Sequence, residues 1–191
     1  CKKKHTAIRI GVNHGSLSDR IMEKWGDTPE GMVESAMEYI RICSQEEFYN
    51  VVVSLKASNT RIMIWSNRLL IKTMQDEGIN FPVHLGVTEA GEGEDGRFRS
   101  SVGIGTLLGE GIGDTIRISL TEDPENELPV ARKLISLFEN FRFEPAKIPD
   151  WHQMISVTRK TNRILNIGDL QVPVVIASTD PPGDPARNKY D

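Results

Sequence analysis

An α/β fold, and within it a parallel (β/α) half-barrel, is predicted by three features of the sequence. Four short apolar runs, 8–12, 51–55, 83–87 and 115–120, begin 43, 32 and 32 residues apart. Helical patterns fill the gaps, and strand alternating with helix at this spacing gives βα units and a parallel sheet. Within each run one parity is apolar and the other is polar or small. A doubly wound sheet, covered by helices on both faces, needs strands apolar throughout. An apolar face against outer helices and a polar face turned inward suit a barrel with a polar mouth. Four strands supply half of such a barrel.

Each element has its own signals. The first strand sets Ile8, Ile10 and Val12 against Arg9, Gly11 and Asn13. A helix over 29–47 opens with Thr28 as cap and Pro29 at its first position, and carries Val33, Ala36, Met37 and Ile40 on one face. The second strand sets Val51, Val53 and Leu55 against Val52, Ser54 and Lys56. A helix over 59–77 follows, with Asn59 as cap, Ile62, Trp65, Leu69 and Leu70 as apolar positions, and Gly78 as stop. The third strand opposes Val83, Leu85 and Val87 to His84, Gly86 and Thr88. A weaker helical pattern covers 97–109. The fourth strand opposes Ile116, Ile118 and Leu120 to Arg117, Ser119 and Thr121, and a helix over 125–139 ends near Asn140.

Beyond about residue 141 the repeat stops at Pro145, Pro149 and Trp151. Strands are expected at 154–158 and 172–178, and 180–191 reads as a loop or frayed tail. The chain therefore divides into 1–141, the half-barrel, and 142–191, a linker and the beginning of another domain. With no initiating Met, the chain is expected to be a piece of something longer.

Composition narrows the function. The 191 residues carry 23 Lys+Arg against 27 Asp+Glu, a formal charge of −4. That balance argues against a general nucleic-acid binder. No apolar run is long enough to span a membrane. Two cysteines, Cys1 and Cys43, form no disulfide framework and are too few for a zinc or iron–sulfur site. A reducing cytoplasm is the expected setting.

In barrels the working residues lie at the carboxyl ends of the strands. Those ends supply Asn13, His14 and Ser16; Lys56 and Ser58; Thr88 and Glu89; Ser119 and Thr121. Arg9, His84 and Arg117 sit deeper on the same inward parity. Cations converging on one axis repel one another unless a polyanion joins them. Arg offers phosphate two parallel hydrogen bonds and Lys a point charge. Glu89 is then the one carboxylate at the rim, able to move a proton.

Other readings stand beside these. An Arg on a strand serves as well in a structural ion pair, His84 reads equally as a core histidine bonded to a carbonyl, and His14 as a loop residue. The glycines at 103, 105 and 109 lack the strand and spacing of a dinucleotide loop, so close helix packing is expected there. The stretch 91–96, with three acids, reads as a mobile loop. The basic turn 159–163 reads as a solvated hairpin, and Cys43 as a small buried hydrophobe.

The runs Ile8-Arg-Ile-Gly-Val-Asn-His-Gly-Ser16, Val53-Ser-Leu-Lys-Ala-Ser58, His84-Leu-Gly-Val-Thr-Glu-Ala-Gly91 and Gly109-Glu-Gly-Ile-Gly-Asp-Thr-Ile-Arg-Ile-Ser119 resemble one family. It is the 4-hydroxy-3-methylbut-2-en-1-yl diphosphate synthases, iron–sulfur enzymes of the non-mevalonate isoprenoid pathway. The resemblance covers roughly residues 7–140. It implies a catalytic barrel and a further domain holding a 4Fe-4S cluster. The implied reaction is the two-electron reductive ring opening and dehydration of 2-C-methyl-D-erythritol 2,4-cyclodiphosphate, with ferredoxin or flavodoxin as electron donor and a homodimer as the working form.

Carried over by motif, Arg9 and Asn13 are implied as substrate contacts, and Lys56, Arg117 and Ser119 as diphosphate ligands. Thr88 and Glu89 match the family's Thr-Glu pair, with Glu89 as proton donor. The family's cluster cysteines and the first half of the barrel are absent. Residues 163–168 and 172–176 resemble the start of the middle domain of the family's larger three-domain form. The chain is thus expected to be an interior fragment, inactive alone, and to dimerise through the unpaired edges of its first and last strands. Two alternatives remain: another phosphate-binding barrel enzyme, in which Lys56 would be the Schiff-base candidate, and a non-catalytic module that binds a phosphorylated ligand.

Overall fold

The computed structural model describes residues 1–139, and the expectations for 140–191 lie outside the described residues. A short 3-10 turn at Lys2–Lys4 leads into β1 (Ile8–Asn13). There follow α1 (Asp19–Trp25), α2 (Pro29–Gln45), β2 (Val51–Lys56), α3 (Thr60–Asp76), β3 (His84–Gly86), α4 (Gly93–Gly109), β4 (Thr115–Arg117) and α5 (Glu127–Ser136).

β1 pairs with β2 and β3 with β4, both in parallel. Single parallel bridges, Val53 with Val83 and Ala57 with Val87, join β2 to β3. The strands thus lie side by side in chain order. Helices α2, α3, α4 and α5 pack successively against one another along the same arc. Strand order following chain order is what βα units give when each crossover returns to the neighbouring position.

The parity expected of the strands is the parity of burial. Ile10, Val12, Val51, Val53, Leu55, Val83, Leu85, Val87 and Ile118 are buried. They meet Met32, Val33, Ala36, Met37 and Ile40 of α2, Met63, Leu70 and Met74 of α3, and Ile104 and Leu107 of α4 in one core. Arg9, Gly11 and Asn13, on the opposite parity, are exposed. β2 and β3 depart from this, because Ser54 and Gly86 on the polar parity are also buried.

The capping residues work as the sequence indicates. Thr28 Oγ1 accepts the Gly31 N–H at 3.2 Å, and Asn59 Oδ1 accepts the Arg61 N–H at 2.9 Å. Gly78, at φ +69°, ends the α3 segment in a left-handed turn. Asn67, buried on α3, donates to the Leu55 carbonyl at 3.1 Å and so ties the helix to the end of β2. Arg68 bridges α3 to Glu110 beyond α4, with its guanidinium 4.6 Å above the Trp65 ring.

Several boundaries differ from expectation. α1 was not expected: it is short, buries only Ile21, and lacks the apolar stripe of the longer helices. α4 begins at Gly93, so most of the acidic stretch 91–96 is helix rather than loop. Glu94 and Asp95 occupy its first turn, where the helix dipole favours negative charge. The glycines of α4 pack closely, as expected. A Cβ on Gly103 would come 2.7 Å from Val87 Cγ2, and one on Gly105 3.6 Å from Leu134 Cδ1. Cys43 is half-buried rather than buried. β4 is regular only to Arg117, and a 3-10 turn at Pro124–Asn126 precedes α5. No helix among the described residues is long and apolar enough to cross a membrane.

Candidate anion-binding site

Strand register decides which side chains share a level on the polar face. β1 and β2 set Asn13 beside Lys56, and Gly11 beside Ser54. β3 and β4 set Gly86 beside Arg117, and His84 beside Thr115. The bridges between β2 and β3 carry the register across, placing Lys56 beside Gly86 and Ser54 beside His84. One level therefore reads Asn13, Lys56, Gly86, Arg117. The level toward the amino ends reads Gly11, Ser54, His84, Thr115. Thr88 and Ser119 lie one step beyond Gly86 and Arg117, toward the carboxyl ends.

Glycine at position 86 has a steric reason. A Cβ there would stand 3.3 Å from the Arg117 carbonyl and 3.7 Å from Lys56 Cδ. The Lys56 side chain thus lies against β3 at Gly86, in van der Waals contact with the place a Cβ would take.

The electrostatics bring the same residues together. Partial burial holds the Lys56 ammonium below the usual lysine range, and the guanidinium groups of Arg9 and Arg117 push it further down. Burial likewise lowers the His84 imidazole, with Arg9, Lys56 and Arg117 adding to the effect. Four side chains from four strands therefore share one electropositive region. Arg9 is exposed, and the Arg117 side chain is 66% exposed with its Nε 3.7 Å from Glu127 Oε2. Solvent reaches this region, and that limits the repulsion among its cations.

Other candidates stand apart. A groove of about 470 Å³ runs beside β1, lined by Arg9, Asn13, Ser16, Ser18, Arg20 and Glu38 among others, and lacks Lys56 and Arg117. His14 Nε2 stands 3.4 Å from Asp27 Oδ2, in contact with the loop between α1 and α2. Glu89 is exposed, has a left-handed backbone at φ 51°, and forms no ion pair among the described residues. A non-glycine residue in that conformation costs of order ~1 kcal/mol, and such positions cluster at functional sites.

Reading strand ends alone does not single out Gly86, Ser54 or Thr115. Register does, once the offset between β2 and β3 is known. His84 is bonded to a hydroxyl, not a carbonyl: its Nδ1 is 2.9 Å from Thr115 Oγ1. Ser54 Oγ is buried without a hydrogen-bond partner among the described residues.

The residues do not fit an iron–sulfur cluster. The whole chain has two cysteines, and no group of three or more His, Cys, Asp or Glu among the described residues could hold a metal ion.

Comparison with known proteins places this geometry. The family model described as the GcpE TIM-barrel domain matches residues 1–132. A Bacteroides fragilis protein named 4-hydroxy-3-methylbut-2-en-1-yl diphosphate synthase (flavodoxin) is 58% identical over 181 residues, covering 93% of this chain and 29% of that protein. A Phocaeicola vulgatus protein of the same name is 60% identical over 181 residues, covering 93% and 30%. A Gloeothece citriformis protein named for ferredoxin instead is 60% identical over 134 residues, covering 70% and 33%. The chain thus spans about a third or less of the length of these relatives. Because the barrel model covers most of its residues and these relatives match at such identity, the chain belongs to the GcpE family, that of the 4-hydroxy-3-methylbut-2-en-1-yl diphosphate synthases.

Proposed function

We propose that this chain is the diphosphate-binding part of a synthase that reductively converts 2-C-methyl-D-erythritol 2,4-cyclodiphosphate to 4-hydroxy-3-methylbut-2-enyl diphosphate in the non-mevalonate route to isoprenoids. One observation carries the reading: across a single polar face, Arg9 and Arg117 from two outer strands both act on the Lys56 ammonium, and all three on the His84 ring. A diphosphate laid across that face neutralises all three, and Asn13, Thr88 and Ser119 add neutral hydrogen-bond partners around it.

Glu89 is the carboxyl group assigned to proton delivery at the reacting carbon. Its place at the end of β3, immediately after Thr88, supports this. The cluster that supplies electrons would rest on residues outside these 191, so the piece alone is inactive. Flavodoxin is the favoured donor, because the longer matches reported above are to relatives named for it. Ferredoxin is the other candidate.

The architecture assigned to 1–141 is half of a (β/α) barrel, supported by the chain-order parallel strands, and 142–191 begins a further domain. The working form is a homodimer in a reducing cytoplasm. Free Cys1 and Cys43 accord with that compartment.

Calorimetric titration of the chain with the cyclodiphosphate, beside Lys56→Met, tests the reading. Binding by the natural chain, weakened about tenfold to hundredfold in the variant, is the expected result for loss of a charge-assisted contact. Equal binding by both would remove Lys56 from the site. No binding by the natural chain would overturn a ligand site in this chain and leave its family standing.

A further inference from the structure

The level that holds His84 and Thr115 lies one step below the cationic level, on the same polar face. His84 is half-buried and anchored through Nδ1 to Thr115 Oγ1 at 2.9 Å. Nε2 has no partner among the described residues. On the neighbouring strand, Ser54 Oγ is fully buried and unpartnered as well. Ser54 Oγ, unpaired and shut away from water, is costly unless a ligand or water completes it, while His84 Nε2, not fully buried, is open to a ligand.

We propose that His84 and Thr115 extend the anion site one level down the strands, and that the His84 ring takes up a proton when a diphosphate group occupies the site. This rests on the anion-site reading above and adds a residue and a proton to it. The charged groups acting on the ring are Arg9 from β1, Lys56 from β2 and Arg117 from β4, all cations. With the face empty they oppose an imidazolium. An anion seated among them cancels that opposition, and a direct hydrogen bond from Nε2–H to it offsets the cost of burial as well.

The sign of the pH dependence follows. Without ligand, His84 titrates below the ordinary histidine value of 6.5. With ligand it titrates higher. Affinity therefore rises as pH falls through the ligand-bound value, and levels off below the free one. Thr115 acts through His84 by fixing its ring.

The test uses pyrophosphate as probe and the nuclear magnetic resonance of the histidine ring protons of the whole chain, titrated from about pH 5 to about pH 8. The His84 signal is the one missing in His84→Gln. The expected result is an upward shift of the His84 titration with saturating pyrophosphate. Thr115→Val is expected to keep the upward shift but weaken pyrophosphate binding about threefold to tenfold, as for loss of one hydrogen bond.

Pyrophosphate that binds by calorimetry without moving His84 would overturn this inference and leave the anion site standing. Absence of any binding, or binding unchanged by Lys56→Met, would overturn the anion site itself and this inference with it.

Discussion

Ile10, Leu55 and Leu85 are shut away from water against the helices, while Arg9, Lys56 and His84, one residue further along or back on the same strands, belong to a face that water reaches. Both faces come from one backbone, but different forces govern them. On the helix side, burial of apolar surface dominates, at roughly 25 cal/mol per Å². On the other side, like charges are held near one another and partly dehydrated, a local cost that a bound anion would offset. The first face makes the fold. The second is kept in spite of what it costs the fold.

That contrast can be sharpened by substitutions, taken from the largest expected effect downward. Leu85→Ala opens a cavity in the core at a fully buried position, and should lower the unfolding free energy by about 2–5 kcal/mol in urea titrations. A loss below 1 kcal/mol would mean that the core around β3 is loosely packed. Asn59→Ala leaves two N–H groups at the start of α3 without their acceptor, and should cost about 1 kcal/mol.

Lys56→Met on the polar face should change stability by less than about 0.5 kcal/mol, or raise it, because it removes a repelled and partly dehydrated charge. A loss as large as that of Leu85→Ala would erase the distinction between the faces.

The smallest effect is in pH dependence. His84 titrates below its unfolded value, so between the two values the unfolded chain binds more protons than the folded one. Stability should therefore rise with pH through the range just below 6.5, and His84→Gln should flatten that part of the profile. A profile unchanged by the substitution would show that the ring is not held against protonation.

The periodic elements were legible in the sequence because their signals are local. Thr28, Pro29 and Asn59 mark helix starts through hydrogen bonds made within three residues, and the core stripe of α2 repeats on the helical period. The alternating parity of β1 disclosed which of its side chains face the helices. What was hidden is whatever depends on register between strands. Nothing near Gly86 in the chain says that Lys56 will lie against it, and nothing near His84 names Thr115 as its partner, since both pairs are some thirty residues apart. α1 was hidden for a different reason: at seven residues it has too little periodicity to read. The start of α4 is hidden because glycines and acids suggest a loop by composition, yet the acids suit a helix amino terminus.

The backbone at Glu89 has a consequence for the aim of its side chain. Strict alternation would send residue 89 the way of Val83, Leu85 and Val87, into the layer of helices, where a carboxylate would be stranded. The left-handed turn at φ 51° interrupts the alternation at that one residue. Ala90, wholly enclosed, takes the inward-packing place instead, and Glu89 stays in water. The turn that follows β3 thus keeps an acid out of the apolar layer, and leaves the Glu89 carboxylate in water just beyond the strand's carboxyl end.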